Sequence, residues 1–535
     1  MNLVELLDRQ ASLRPLAPAI VDQPNGRERV MTFDQLRNRS QQLAALMHAR
    51  GIRSGDCALV FQPMSAELYV VLVALWRVGA VAMFLDPSAG RKYLERCCVM
   101  LPPTVLVASA RAHLLRFISA SLRGIPHKLV IGCWVPGAVR VGSADAYAPR
   151  TELAPVSLDT PALVTFTSGS TGLPKAAVRT HGFLLRQHDV LARHLELAQG
   201  DVDLSTLPIF ALANLASGVT SVIPAGDLRK VGSIDAAPVF AQVERWGVTR
   251  SAASPAFFER LAEYGELKRC SLPTLQVIDT GGAPVFAKLL DRLQCLAPQA
   301  HSRAVYGSTE AEPIAHLAAA AISVEDRLAM RHGAGLLAGW PVPEIAVRIL
   351  PPRWGQTLGP YTETAFAADC LGSNVAGEIV VHGTHVLQGY LNGQGDAETK
   401  FDVDQARWHR TGDSGYLDER GRLWLLGRVG ARIVDAKGEL YPFRVECAVA
   451  EHTGIRRSAV TSWQGRRVLV VERTSLEATI DVDALHAQLT WASLEVIHLT
   501  RRLPVDARHN AKIDYPALAE LLARELGASH LKPKR

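Results

Sequence analysis

Through its first 300 residues the chain alternates short, wholly apolar runs with segments of helical spacing, and no other feature constrains its fold as strongly. The runs at 58–61, 80–85, 104–108, 128–131, 162–166 and 276–279 have the length and composition of buried strands. Between them, residues 32–50 set Leu36, Leu43 and Leu46 on one side of a helix, and 66–78 and 286–296 are helical again. Strands buried on both faces and separated by helices predict an α/β fold with largely parallel sheets. Near residue 370 the pattern changes. Short strands at 378–382, 422–426, 432–434 and 468–472 are separated by turns, and helices are predicted over 483–490 and 515–526. A chain of 535 residues exceeds one hydrophobic core. The expectation is a large N-terminal domain of α/β subdomains with parallel sheets, then a boundary near 427–430 and a small C-terminal α+β domain.

Bulk properties exclude several classes. A net charge of +6 is weak over this length, and no Lys/Arg block is interleaved with aromatics, so nucleic acid is not expected as a partner. The eight cysteines include no CxxC and no metal-ligand spacing, which fits a reducing, cytoplasmic setting. The start MNLVELLDRQ has no apolar signal core. The most apolar stretch, 68–85, is broken by Arg77 and Gly79 and reads as a buried helix running into a strand, so no integral membrane segment is expected. Lys532, Lys534 and Arg535 form a short basic tail that reads as a frayed terminus.

The strongest local signal is the segment 163–175. An apolar strand runs into six consecutive small residues, Thr167, Ser168, Gly169, Ser170, Thr171 and Gly172, followed by Leu173, Pro174 and Lys175. Such residues expose backbone N–H groups, and the hydroxyls add donors, which makes an anion cradle. Lys175 adds a point charge. The segment is neither a Walker A loop, because Pro174 stands where that spacing needs Lys, nor a nucleophile elbow. Read in isolation, a flexible Ser/Gly turn beside a lysine is the competing interpretation.

Further segments complete a pattern. They are Gly281-Gly282-Ala283-Pro284, Tyr306-Gly307-Ser308-Thr309-Glu310, Thr411-Gly412-Asp413 with Gly421 and Gly427-Arg428, and Asn510-Ala511-Lys512-Ile513. In this order, with 167–175, they resemble the motifs of the adenylate-forming superfamily of acyl-CoA synthetases, peptide-synthetase adenylation domains and luciferase. The resemblance spans nearly the whole chain. It implies ATP-dependent activation of a carboxylic acid as acyl-AMP, with ATP and Mg²⁺ as cofactors.

The resemblance also assigns roles. The 167–172 loop and Lys175 hold phosphates. Gly281, Gly282, Ala283 and Pro284 flank the adenine, with Tyr306, Gly307 and Ser308 beside them. Glu310 binds Mg²⁺ with Thr167, and Thr309 donates to the α-phosphate. Asp413 accepts from the ribose hydroxyls and Arg428 supports the same edge. Lys512 is the catalytic lysine, and its type suits the task. Attack of a carboxylate on a phosphate brings together two anions that repel by roughly 4 kcal/mol at 4 Å and intermediate dielectric. A flexible ammonium can donate to both. Taken singly, each of these charged residues reads equally well as a solvated surface group. Domains of 1–427 and 431–535 with a hinge at 428–430 follow, and Gly430 is the position suited to large backbone changes.

Two segments depart from the wider pattern. In Pro208-Ile209-Phe210-Ala211, Ala211 replaces a histidine common after the aromatic. After the hinge, 431–441 retains only a partial echo, at Pro442 and Val445-Glu446, of the loop that CoA ligases use at the thioester stage, which argues against CoA. Residues 208–212, 220–224, 254–256, 438–441 and 508–512 resemble one branch, the β-lactone synthetases of bacterial long-chain olefin biosynthesis. That likeness implies a fatty, β-hydroxy carboxylate whose own hydroxyl displaces AMP. Phe210, Ala211 and Leu212, with Ile209, Ala213 and Leu215, would line an alkyl pocket; ordinary core packing explains them equally well. Three readings stay open: a β-lactone synthetase-like enzyme, a ligase forming a fatty acyl thioester with CoA or a carrier protein, and a non-catalytic nucleotide-binding subunit. Association with other enzymes of a pathway is compatible with each.

Overall fold

The computed structural model describes residues 1–85, 90–168, 174–475, 477–506 and 512–527, without the side chains of Asn25, Thr167 and Ser168. Every strand and helix expected above is present within a few residues of its expected bounds. The apolar runs Cys57–Phe61, Val81–Phe84, Val105–Ser109 and His127–Ile131 form the parallel heart of a seven-stranded sheet. Pro161–Ser168 joins it in parallel and pairs antiparallel with Pro174–Thr180 at the edge. The helix Ala66–Arg77 is buried along almost its whole length, which is why its sequence is apolar all round. Arg77 is fully buried there and ion-paired to Asp8.

A second, larger sheet has a parallel half and an antiparallel half. Pro18–Asp22, Thr220–Val222, Val202–Ser205, Arg250–Ala253, Val277–Gly281 and His301–Ser308 run parallel. From the hairpin His301–Ser308/Ala311–Ala318 onward, through Leu336–Pro341, Leu423–Arg428, Ala406–Leu417, Gly377–Gly383 and Ile345–Leu350, every pairing is antiparallel. The change of pattern near 370 therefore falls inside this sheet, because 377–383 and 423–428 are its strands.

Pairing to the large sheet stops at Arg428. Beyond the turn Val429–Ala431, the strands Ile433–Asp435 and Gly438–Leu440 form a hairpin, and Ile455–Trp463, Arg466–Arg473 and Val496–Thr500 form a three-stranded sheet. Two apolar clusters lie beside that sheet, one under Pro442–Val449 and Val482–Gln488 and one under Tyr515–Glu525. This part docks on the rest through an ion pair of Arg331 with Glu451, a hydrogen bond from Lys288 to the His452 carbonyl and the packing of Trp491 over Gly333. Among the described residues no helix is long and apolar enough to cross a membrane.

Candidate active site

The parallel strands of both sheets end on a shared cleft, the usual ligand position in open α/β sheets. The two sheets are tied at its floor. Arg179, on the strand after the phosphate loop, donates from Nη2 to the Thr309 carbonyl at 2.9 Å and from Nη1 to Thr165 Oγ1 at 3.0 Å. The Leu387 amide donates to the Glu310 carbonyl at 2.7 Å, and Tyr390 forms a bridge with Ala177.

Local sequence explains the turns. Gly281 ends its strand so close to the next one that a Cβ would lie 2.4 Å from the Val305 carbonyl, and Gly282 follows with φ +80°. Ala283 and Pro284 lead half-buried into the helix Ala287–Leu296. The Glu310 amide donates to Ser308 Oγ at 3.2 Å and closes the turn between the hairpin strands.

Beside this turn, the Tyr306 hydroxyl donates to Asp413 Oδ2 at 2.8 Å, and Arg428 Nε lies 3.3 Å from Asp413 Oδ1. Asp413 and Arg428 are direct cross-strand partners. Burial, reinforced by the Asp413 charge, pushes the Tyr306 hydroxyl well above its ordinary value, so it stays a donor. Asp413 thus keeps an acceptor geometry while two neighbours fix its orientation.

On the other side, Tyr390 donates to Glu310 Oε1 at 2.7 Å. The ammonium groups of Lys175 and Lys400 lie 5.9 and 5.8 Å from the centre of the Tyr390 ring. Burial would raise the Glu310 carboxyl, but its polar neighbours, the Tyr390 hydroxyl and Lys400 among them, outweigh it and hold Glu310 below its ordinary value, as a carboxylate. Burial pulls Lys400 down to about 7 against the pull of Glu310 and Asp396; its ammonium donates to the Leu387 carbonyl. Burial, then Lys400, push His409 down to about 3, so its imidazole is neutral. Glu312, two residues past Glu310, is pushed up to about 7 by burial, against the opposing charges of Arg179 and Lys512.

Lys175, Tyr306, Glu310, Asp413 and Arg428 are therefore brought together. Lys175 is buried and pairs with Glu398 Oε2 at 2.6 Å. Lys512 is exposed, its amide donates to Asp506 Oδ1 at 2.9 Å, and its charge reaches Glu312. Gly169, Ser170, Thr171, Gly172 and the stretch 507–511 lie outside the described residues, as do the side chains of Thr167 and Ser168. The alkyl-pocket expectation divides. Leu212 lines an apolar cavity of roughly 70 Å³ with Leu3, Leu7, Trp76, Leu191 and Ala213. Phe210 and Ala211, on the same helix Pro208–Ser217, are packed into core clusters and do not line it. Sequence reasoning missed Arg179, Glu312, Tyr390, Lys400 and His409, none of which stands within the motif segments.

A family model described as AMP-binding enzyme matches residues 7–391. The chain belongs to this AMP-binding enzyme family. An olefin β-lactone synthetase of Xanthomonas campestris pv. campestris is 31% identical, covering 98% of this chain and 98% of its own length. Another of the same description, from Stenotrophomonas maltophilia, is 32% identical over 93% and 92% of the two chains. The fold superposes on an anthranilate CoA ligase in complex with anthranoyl-AMP with a TM-score of 0.80, at 18% identity and with 98% of each chain covered. As a member of the AMP-binding family, this chain is an AMP-forming ligase that uses ATP to activate a carboxylate as acyl-adenylate. Within that family it falls in the olefin β-lactone synthetase branch.

Proposed function

We propose that the carboxylate is a fatty, β-hydroxylated acid and that its own hydroxyl accepts the acyl group. The observation carrying this reading is the near-full-length likeness to two olefin β-lactone synthetases. In the first half-reaction a carboxylate oxygen attacks the α-phosphorus of ATP and pyrophosphate leaves. Lys512 would bridge the two anions from the cleft mouth, while Thr309 donates to the α-phosphate. Gly281–Pro284 would flank the adenine, with Gly307 and Ser308 beside it, and Asp413, steadied by Tyr306 and Arg428, would accept from the ribose. Thr167–Gly172 and Lys175 would hold the phosphates.

Glu310 suits Mg²⁺. It is held ionised, and Mg²⁺ takes only one or two protein carboxylates beside phosphate and water oxygens. Thr167 would complete the site, and the ion would neutralise charge on the leaving pyrophosphate. In the second half-reaction the β-oxygen bonds to the carbonyl carbon, the bond to the AMP oxygen breaks, and the hydroxyl proton is released. A tethered nucleophile needs no second substrate, and good orientation gives effective concentrations of about 10⁵ M or more.

Residues 1–427 and 431–535 would move as two domains about 428–430. Support comes from the end of sheet pairing at Arg428 and from the open surroundings of Gly430, where a Cβ would touch nothing. The test is mass spectrometry of the products from ATP and a β-hydroxy fatty acid, with and without CoA. A product one water lighter than the acid, formed without thiol, is expected. Strict dependence on added thiol would favour acyl-CoA or carrier-protein ligation instead.

A further inference from the structure

Glu312 differs from the other acids of the cleft. Glu310 is committed to Tyr390, Asp413 to Tyr306 and Arg428, and Glu398 to Lys175. Among the described residues nothing donates a hydrogen bond to the Glu312 carboxylate and no cation comes within ion-pair distance of it. A half-buried side chain with two strong acceptor oxygens is thus left without a protein donor, and such groups ordinarily find one.

Its location says where that donor comes from. A Cβ on Gly307 would lie 3.3 Å from Glu312 Cγ, so the Glu312 stem runs across the glycine of the Tyr306–Glu310 turn. Its carboxylate faces two cations. One is Arg179, which holds the Thr309 carbonyl; the other is Lys512, which approaches from the C-terminal part. A substrate carboxylate bridged to the α-phosphate by Lys512 would therefore lie on the Glu312 side of the site, with its β-carbon two bonds further on.

We propose that Glu312 is a specificity residue, accepting a hydrogen bond from the β-hydroxyl of the acid and so selecting hydroxylated over plain fatty acids. This rests on the β-hydroxy reading above. A hydroxyl fits better than an ammonium. Arg179 and Lys512 already offset the Glu312 charge, and a cationic donor would meet both of them. Glu312 also fixes the direction of the hydroxyl relative to the carbonyl it later attacks.

A hydrogen bond to a charged group is worth about ten- to hundredfold in affinity. The experiment measures acid-dependent exchange of labelled pyrophosphate into ATP for a matched pair, a 3-hydroxy fatty acid and its 3-deoxy counterpart, with the full chain. The wild type is expected to prefer the hydroxy acid in kcat/KM by at least about tenfold. Glu312→Ala brings the ratio near one, and Glu312→Gln, which keeps an acceptor, gives an intermediate ratio. Calorimetric binding of the same two acids to AMP-saturated protein reads the ratio without turnover, so a poorly active variant still reports. The proposal is overturned if the wild type does not discriminate, if the variants lower both acids alike and keep the ratio, or if the 3-amino acid is preferred to the 3-hydroxy acid. Lactone formation is scored separately: discrimination without lactone supports Glu312 and counts against ring closure, whereas lactone without discrimination does the reverse.

Discussion

Tyr390 donates its hydroxyl to Glu310 Oε1 at 2.7 Å across 80 residues of sequence, and the ammonium groups of Lys175 and Lys400 lie 5.9 and 5.8 Å from the centre of the same ring. One aromatic side chain therefore orients the carboxylate assigned to Mg²⁺. Tyr390→Phe keeps the ring and removes only the donor. The expected result is a fall of about tenfold in pyrophosphate exchange, with a higher Mg²⁺ concentration needed for half-maximal rate. An unchanged Mg²⁺ curve would refute the orienting role.

Lys512 is exposed, with its backbone anchored to Asp506, so its side chain is delivered by the C-terminal part rather than built into the cleft wall. Its removal should spare the nucleotide pocket. Lys512→Ala is expected to lower adenylation by at least about a thousandfold while ATP affinity, measured by calorimetry, changes by less than about threefold. Full activity in this variant would remove the catalytic assignment.

The parallel cores were legible because strands such as Cys57–Phe61 and Val105–Ser109 are buried on both faces and read as unbroken apolar runs. Continuous motifs were legible for a related reason: Tyr306–Glu310 and Gly281–Pro284 are unbroken stretches that can be read without knowing any pairing across the chain. The antiparallel half of the large sheet was not recognised as part of one sheet, because its pairings join strands far apart in sequence. Tyr390, Lys400 and His409 escaped notice on similar grounds. Each acts on Glu310 through space, and nothing in its local spacing separates it from a surface residue. Phe210 and Ala211, whose apolar helix reads equally well as pocket lining or as core, sit in core clusters.

Tyr306 and Arg428 both orient Asp413, so neither is expected to be indispensable. Tyr306→Phe leaves the Arg428 contact and should weaken ground and transition states alike. The expected signature is an ATP KM raised about tenfold with kcat within about twofold of wild type. A large fall in kcat at unchanged KM would show that the Tyr306–Asp413 bond matters only in the transition state.

The C-terminal part contains a pH-sensitive element of its own. Glu446, on the helix Pro442–Val449, is 4% exposed and accepts a hydrogen bond from the Val460 amide at 3.2 Å. Burial pushes its carboxyl up to about 8, against an ordinary value of 4.5. Between those values the folded chain keeps a proton that the unfolded chain releases. Stability is therefore fully present below about 4.5, falls as pH rises through the interval and levels off above 8. Glu446→Gln removes the titration while keeping an acceptor for Val460. Its advantage over wild type should be near zero at pH 5 and reach about 1 kcal/mol or more by pH 8.5, since each unit of pKa difference carries up to about 1.4 kcal/mol. Denaturant unfolding of the full chain at the two pH values measures this, followed through a transition that reports the C-terminal part. An equal effect of the substitution at both would mean that Glu446 is ionised in the folded state, its charge met by a group that burial alone does not reveal.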